Sequence, residues 1–455
     1  MKLRALAFLV GGLALLGGCA NLAPPYQRPA PALPAPGAPV PAADPSALGR
    51  EAFFTDERLR ATVELALANN RDLRVAALNV QRARAQARLT DAAQLPNVSA
   101  NAGASRANSI GTSYSAGLSL AAFELDLFGR LRNESEAALQ TWLASEAGRT
   151  STEISLVAET ANAWLSLAAD LANQGLAQQT FESRGRSLEL DQRRHALGAI
   201  SGLALAQSQS LVDSARLDIA TAATQVEQDR NALELLLGTA LPPALAPDSA
   251  QNLAEASRLV ELPAGVPSEL LQRRPDVLQA ERQLQASVAN IGVARAAFFP
   301  RISLTAMAGT ASSELSGLFK AGSRTWSYGP SLSLPIFDGG ANAANLESAK
   351  LDREIALAQY DKAVQTAFRE VADALAVRAR LAERLAAQQA LVATAERQLA
   401  LADAQHRAGS TGMLEVLDAE RSLYAAQQSL IALRLTEQAN RLELYKVLGG
   451  GWKKA

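Results

Sequence analysis

"TWSYGPSLSLP" (residues 325–335) alternates with a period of two: Trp326, Tyr328, Leu332 and Leu334 fall on one side, Ser327, Gly329, Ser331 and Ser333 on the other. Successive side chains of a strand point to opposite faces, so this stretch forms a strand with one apolar, aromatic-rich face and one face of hydroxyls and glycine. About ten residues of this dyad pattern is what a tilted strand needs to cross a bilayer, apolar outward and polar inward. A half-buried sheet in water gives the same alternation, and at this point both readings stand.

Three further segments carry the pattern. In "RISLTAMAGT" (301–310), Ile302, Leu304, Ala306 and Ala308 oppose Arg301, Ser303, Thr305 and Gly309. Tyr114, Ala116, Leu118 and Leu120 oppose Ser115, Gly117 and Ser119, and Val98, Ala100, Ala102 and Ala104 form a weaker apolar row. If these strands face lipid, four are too few, because a membrane barrel leaves no open edge and bacterial barrels begin at about eight strands. Copies must then share one barrel, with a dimer or a trimer both open on this argument.

The strands sit in a tandem duplication. "RDLRVAALNVQRARAQARLTDAAQLPNVS" (71–99) aligns with "PDVLQAERQLQASVANIGVARAAFFPRIS" (275–303), setting Asp72 on Asp276 and Pro96 on Pro300 at an offset of 204. "HALGAISGLALAQSQS" (195–210) aligns with "HRAGSTGMLEVLDAER" (406–421), and "LELLLG" (233–238) with "LYKVLG" (444–449), at an offset of 211. The seven extra residues fall between Gly309 and Trp326, where a longer loop is expected. Each half reads helix, strand, strand, long helix, long helix.

The helical parts show a sustained heptad. Leu357, Val364, Val371, Arg378, Leu385, Val392 and Leu399 interleave with Tyr360, Ala367, Ala374, Leu381, Gln388, Ala395 and Ala402. The second series is mostly alanine, and small residues let helices approach closely, as in an array of helices packed side by side. No Pro or Gly interrupts the chain between Gly340 and Gly409, enough for a helix of about 100 Å at 1.5 Å per residue. Pro96 and Pro300 end a helix and open a strand, since proline disfavours helix in the residue before it. Asp338 with Gly339 and Gly340 supplies an N-cap and a permissive bend, with Asp126 and Gly129 as the less tidy counterpart. Gly198 and Gly409 break helices at equivalent places and read as tips of helical hairpins.

Lys2 and Arg4 form a short basic region at the head of the apolar run "LRALAFLVGGLALL" (3–16), which is too short to span a bilayer and reads as an export signal. It closes on "LGGC", and Cys19 is the single cysteine, so it has no partner for an internal disulfide or a thiolate metal site. This resembles the lipobox of bacterial lipoproteins, which implies that Cys19 becomes a lipid-carrying N-terminus. Ala20 after it, in place of Asp, implies outer-membrane sorting. Residues 23–45, "APPYQRPAPALPAPGAPVPAADP", are dominated by Pro and Ala and read as an extended spacer.

The net charge of −1 falls to −3 when Lys2 and Arg4 leave with the signal, so no basic field is present for nucleic acid. No later segment offers about 18 consecutive apolar residues, and any membrane crossing is by strands. There is no Walker loop, no G-x-S-x-G and no zinc-spaced Cys or His set, so neither an enzyme nor a bound cofactor is expected. His195 and His406 stand at equivalent positions beside the tips, where solvated tip residues and a pH-sensitive or metal-binding pair are alternatives. With only Met1, Met307 and Met413, a thioether path for soft metal ions has little basis.

With these features together, the chain resembles the outer membrane efflux protein family, the TolC-like channels, and within it the lipoprotein branch of OprM and NodT type. The carriers are Cys19 with its lipobox, "FELDLFGRLRN" (123–133), "HALGAIS" (195–201), "RRPDVLQAERQL" (273–284), "AAFFPRISL" (296–304), "LSLPIFDGG" (332–340), "HRAG" (406–409) and "VLDAERSL" (416–423). The resemblance implies a mainly α fold with membrane β: a duplicated chain giving four strands to a trimeric, twelve-stranded outer-membrane barrel that continues into a long helical periplasmic tunnel. On this reading residues 1–18 are the signal and 19–50 the lipid-anchored N-terminus. Residues 51–245 form the first repeat, with strands about 97–122, and 246–264 a linker. The second repeat is 265–449, with strands about 300–336, and 450–455 a tail.

The same resemblance implies a passive exit duct for small molecules such as drugs, in a Gram-negative outer membrane. It is served by a periplasmic adaptor and an inner-membrane pump of RND type. It places adaptor contacts at the tips, Gly198, Ala199, Ile200 and Ser201 in the first repeat and Gly409, Ser410, Thr411 and Gly412 in the second, where "GSTG" departs from the more usual apolar third position. It also places a periplasmic gate at Leu414 and Asp418, four apart and so on one helix face. Their first-repeat equivalents are Leu203 and Gln207. A solvated pairing of Asp418 with Arg421 or Arg407 is the structural alternative. Two other functions stay open: a lipid-anchored coiled-coil scaffold without a pore, and a protein-secretion channel.

Overall fold

The computed structural model describes residues 20–29, 49–108, 111–248, 259–260 and 273–450. In chain order these form α1 (Arg50–Phe53), α2 (Glu57–Asn69), α3 (Arg71–Ala92), β1 (Val98–Ala107), β2 (Gly111–Leu125), α4 (Arg130–Ala196), α5 (Gly202–Leu237), α6 (Pro275–Ala296), β3 (Arg301–Ser312), β4 (Arg324–Ser333), α7 (Ala341–Arg407) and α8 (Met413–Val447). α4 and α7 are each 67 residues long, about 100 Å of helix at 1.5 Å per residue. The chain divides into two compact units. One comprises Met1–Ala32, Ala77–Gly148 and Asp276–Ala363, the other Leu33–Ala76, Arg149–Pro275 and Val364–Ala455.

The first unit holds the sheet, an antiparallel meander in the order β1-β2-β3-β4. Its register keeps the two faces apart: Val98 lies opposite Leu120, Leu118 opposite Ala308 and Ala308 opposite Trp326 on the apolar face. On the other face Ser99 lies opposite Ser119 and Ser303 opposite Ser331, with hydroxyls 3.0 and 2.7 Å apart. The seam between the repeats is glycine on glycine. Gly117 faces Gly309, a Cβ on Gly117 would lie 2.6 Å from the Ala308 carbonyl oxygen, and one on Gly309 would overlap the Ala116 carbonyl. Only glycine allows the backbones to approach this closely.

β2 runs three residues beyond the expected limit of 122. Its register with β3 shifts between Leu120 and Phe123, with Ala122 at φ 44° and its N–H donating to Thr305 Oγ1 at 3.3 Å. The bulge absorbs the two alanines and returns Phe123 and Leu125 to the apolar face opposite Leu304 and Ile302. β4 stops at Ser333, short of the expected 336, because Pro335 has no N–H to continue a ladder. Phe128 and Phe299 stack at 4.7 Å where the strands give way to helices.

The second unit holds the main core. Phe53, Trp164, Leu233, Leu237 and Leu442 are fully buried in it, each such side chain contributing about 1.5–3 kcal/mol by leaving water. Phe53 stacks on Tyr445 at 4.2 Å, and Trp164 Nε1 donates to the Leu245 carbonyl at 2.9 Å. The heptad of α7 is realised: Val371, Ala374, Leu381 and Ala395 are buried. Gln388, which interrupts the apolar series, donates through Nε2 to the Ala426 carbonyl of α8 at 2.9 Å, and Asn440 returns a bond to the Ala374 carbonyl at 2.9 Å.

Candidate functional site

Three places in the chain carry the expected functions: the strand wall, the hairpin tips and the N-terminal end. The wall's apolar face is bare. Trp326 and Leu332 are 75% and 65% exposed, and Leu118, Val98 and Tyr328 are exposed with them. Water does not favour such a continuous patch, and lipid or another protein does. Among the described residues no helix is long and apolar enough to cross a membrane.

The two tips are built alike. After α4, Gly198 adopts φ 75°, its N–H donates to the His195 carbonyl at 2.8 Å and Ala199 N–H donates to the Arg194 carbonyl at 2.8 Å. After α7, Gly409 adopts φ 74°, its N–H donates to the His406 carbonyl at 3.0 Å and Ser410 N–H to the Gln405 carbonyl at 3.0 Å. This is a glycine-terminated C-cap in which left-handed backbone satisfies the last carbonyls. The restarts differ: Ser201 caps α5 by accepting from Ala204 N–H at 3.2 Å, whereas Gly412 has no side chain to cap α8. Gly198, Ala199, Ser201, Gly409, Ser410 and Gly412 are exposed, and Ile200 and Thr411 are half-buried.

Leu414 and Asp418 share one stripe of α8. Leu414 is 59% exposed and the Asp418 carboxylate projects beside it, while Val416, Leu417 and Ala419 are buried on the other side. Within the chain Asp418 accepts from Arg421 at 3.0 Å, and Arg407 pairs with Asp403 instead. Leu203, the first-repeat equivalent of Leu414, is exposed in the same way.

The sequence reading missed the contacts that tie the two hairpins together behind their tips. Arg194 Nη1 lies 3.4 Å from His406 Nε2. A guanidinium only donates, so this ring nitrogen accepts and Nδ1–H points at the Thr411 carbonyl, 3.3 Å away. Deeper, Arg184 is only 4% exposed; it donates to the Leu211 carbonyl at 3.3 Å, lies 3.7 Å from Glu420 and 5.8 Å from the centre of the Tyr424 ring. Burial raises the Glu420 carboxyl, with Arg184 opposing it, and burial likewise raises Tyr424. An arginine on a helix seam is the only signal in the sequence, and arginines are common there. A second missed pair is Asp170 with Asp229: burial first, then the neighbouring carboxylate, pushes Asp170 up to about 6.

At the N-terminal end, Cys19 lies outside the described residues, and the chain following it is tied down. Ala20 N–H donates to the Leu127 carbonyl at 3.1 Å, where β2 passes into α4. Asn133 donates to Asn21 Oδ1 at 2.9 Å, Arg295 to the Leu22 carbonyl at 2.9 Å, and Arg28 pairs with Glu281 at 2.6 Å. Tyr26 donates to the same Glu281 at 3.1 Å, and burial together with that charge pushes its hydroxyl up to about 12. At the strand-to-helix bend, Asp338 accepts from Gly340 and Asn342 N–H, both at 2.9 Å, which holds its carboxyl below the usual range. Asp126 accepts from Arg132 N–H at 3.0 Å in the first repeat.

The model of the outer membrane efflux protein family matches residues 62–239 and again 266–450, once for each repeat. The chain belongs to this family. It is 43% identical to the probable efflux pump outer membrane protein TtgC of Pseudomonas putida, over 96% of this chain and 94% of that protein. It is 42% identical to the cation efflux system protein CusC of Escherichia coli, over 96% and 97% of the two chains. The crystal structure of the open state of the Neisseria gonorrhoeae MtrE outer membrane channel superposes with a TM-score of 0.86 at 38% identity, over 95% of this chain and 98% of that one. The outer membrane efflux protein described here therefore has the TolC-like fold and is an outer-membrane channel for efflux.

Proposed function

We propose that this chain is the trimeric exit duct of a tripartite efflux system, taking small molecules from an inner-membrane pump of RND type and a periplasmic adaptor across the outer membrane. The observation that carries the reading is the sheet: four strands with two unpaired edges, β1 and β4, a bare apolar face and a hydroxyl-lined one. Open edges are not stable in lipid, and three copies give a twelve-stranded wall without edges. Its inner face is mostly serine, threonine, asparagine and glycine, with Met307 at mid-height and Arg301 and Glu124 at the helix end, and serves as a passive lining. Energy and selection come from the pump.

The adaptor docks on the exposed tips Gly198–Ser201 and Gly409–Gly412. Leu414 and Asp418 form the gate, three leucines and three carboxylates around the axis. Cys19 carries lipid in the inner leaflet, a reading supported by the hydrogen bond that ties Ala20 to Leu127 at the strand–helix junction. Purified protein tests the whole. Light scattering is to give the mass of three chains, and planar bilayers are to show discrete current steps. A coiled-coil scaffold gives no steps, and that result would reject the duct.

A further inference from the structure

Two arginines end the apolar face of the sheet. Arg106 follows Val98, Ala100, Ala102 and Ala104 on that face of β1, opposite Thr112; Arg324 precedes Trp326, Tyr328 and Leu332 on that face of β4, opposite Thr310. Both are exposed, and among the described residues neither has an ion-pair partner. Elsewhere in the same unit Arg130 binds Glu124 and Glu134, each at 2.6 Å.

At their end of the sheet β1 passes to β2 and β3 to β4, the latter through residues 313–323, while α3, α4, α6 and α7 all join at the opposite end. With the helices in the periplasm, the hairpin end meets the outer leaflet. Immediately inside Arg324, the rings of Trp326 and Tyr328 stack at 5.9 Å, nearly parallel and exposed, as aromatic side chains do at the depth of a membrane interface. A cation one step beyond such a belt stands among the headgroups.

β1 runs toward the hairpin end and β4 away from it, so closing a barrel pairs β1 of one copy antiparallel to β4 of the next, about 4.8 Å apart. Arg106 of one copy and Arg324 of its neighbour then flank a single seam on the lipid side. We propose that this seam binds the phosphate of an anionic glycolipid headgroup in the outer leaflet. Two guanidinium forks match phosphate oxygens, and Lys320, exposed in the 313–323 connection, adds charge of the same sign. The one carboxylate of that connection, Glu314, already accepts from Ser316 at 3.4 Å. The proposal rests on the trimeric-duct reading.

Native mass spectrometry of the purified full chain in detergent reads oligomer and bound lipid in one spectrum. With bis-phosphorylated lipid A as the probe, the trimer is expected to take up lipid, and enzymatically dephosphorylated lipid A is expected to bind roughly tenfold less tightly. The R106Q/R324Q double variant is expected to stay trimeric and to lose roughly tenfold in affinity for the phosphorylated lipid. Arg106→Gln alone gives an intermediate loss, and Arg301→Gln, on the hydroxyl face opposite Ser333, binds as the parent does. Equal binding of both lipids, a double variant that binds like the parent, or competition by inorganic phosphate at the same concentration as the lipid overturns the site. Monomers alone in the parent spectrum overturn the trimeric reading beneath it.

Discussion

Asp418 accepts a hydrogen bond from Arg421 at 3.0 Å on the exposed stripe of α8 that also carries Leu414. The pair is solvated, so its own contribution is small, ~0–1 kcal/mol. Its interest lies in what three copies of the stripe do around an axis. Three carboxylates repel unless cations or partner arginines stand among them. Replacing Leu414 and Asp418 together by alanine is expected to raise single-channel conductance in planar bilayers and to weaken cation preference. Conductance and selectivity unchanged from the parent would remove these residues from the gate.

The anchor is tested by Cys19→Ser. Labelling of cells with a radioactive fatty acid is expected to mark the parent and leave the variant unlabelled. The contacts of residues 20–28 with Leu127, Asn133, Glu281 and Arg295 are independent of the lipid, so the variant still folds. Label retained by the serine variant would exclude Cys19 as the modified residue.

Asp170 gives the chain a pH dependence of definite sign. Its carboxyl is raised to about 6 by burial and by Asp229, above the ~3.9 of a free aspartate, so the folded state holds a proton that the unfolded chain releases. The stabilisation is full below pH ~3.9 and is lost as pH rises through about 6. The melting temperature should therefore decline across that window, and Asp229→Asn should shallow the decline by removing the charge while leaving the burial. A slope identical in the variant would show that the two carboxyls are independent.

Much of this molecule could be read from its residues, and the reasons are physical. Strict alternation in "TWSYGPSLSLP" and a heptad sustained from Leu357 to Ala402, interrupted only at Arg378 and Gln388, have only one secondary structure each that suits them, and β4 and α7 follow. Glycine ends helices wherever a left-handed residue is needed, which made Gly198 and Gly409 visible as tips. The bulge at Ala122 was not legible, because "LSLAAFEL" keeps its apolar character through the shift and only pairing with β3 exposes the extra residues. Nor were Arg184, Glu420 and Asp170, whose meaning comes from helices distant in sequence. The gate candidates came from the family resemblance, with the spacing of four only setting Leu414 and Asp418 on one helix face, and the partner that Asp418 takes within the chain, Arg421, was one of the two alternatives offered.

The glycine seam makes a stability prediction. Valine at position 309 has no room beside the Ala116 and Gly117 backbone, so the β2–β3 ladder must open. Gly309→Val is expected to abolish heat-resistant oligomers on gels while the long helices, seen by circular dichroism, persist. Gly329→Val, at a position where an added Cβ meets nothing within 4 Å, is the matched control and should assemble normally. Normal assembly of the position 309 variant would mean that the two backbones are less close than the register requires.

The central claim is that three copies close one wall by joining β1 to β4, and disulfide trapping tests it directly. Within a chain these strands are separated by β2 and β3, so any covalent link between them joins two copies. With Cys19 kept, since its lipid-bearing thioether forms no disulfide, single cysteines along β1 (Ser99, Asn101, Gly103, Ser105) are combined with single cysteines along β4 (Ser327, Gly329, Ser331), oxidised in membranes and run without reductant beside the parent chain. A closed trimer predicts, at the in-register combinations, bands of two and three chains and nothing larger. Only single chains at every combination, or a ladder extending beyond three, would contradict it.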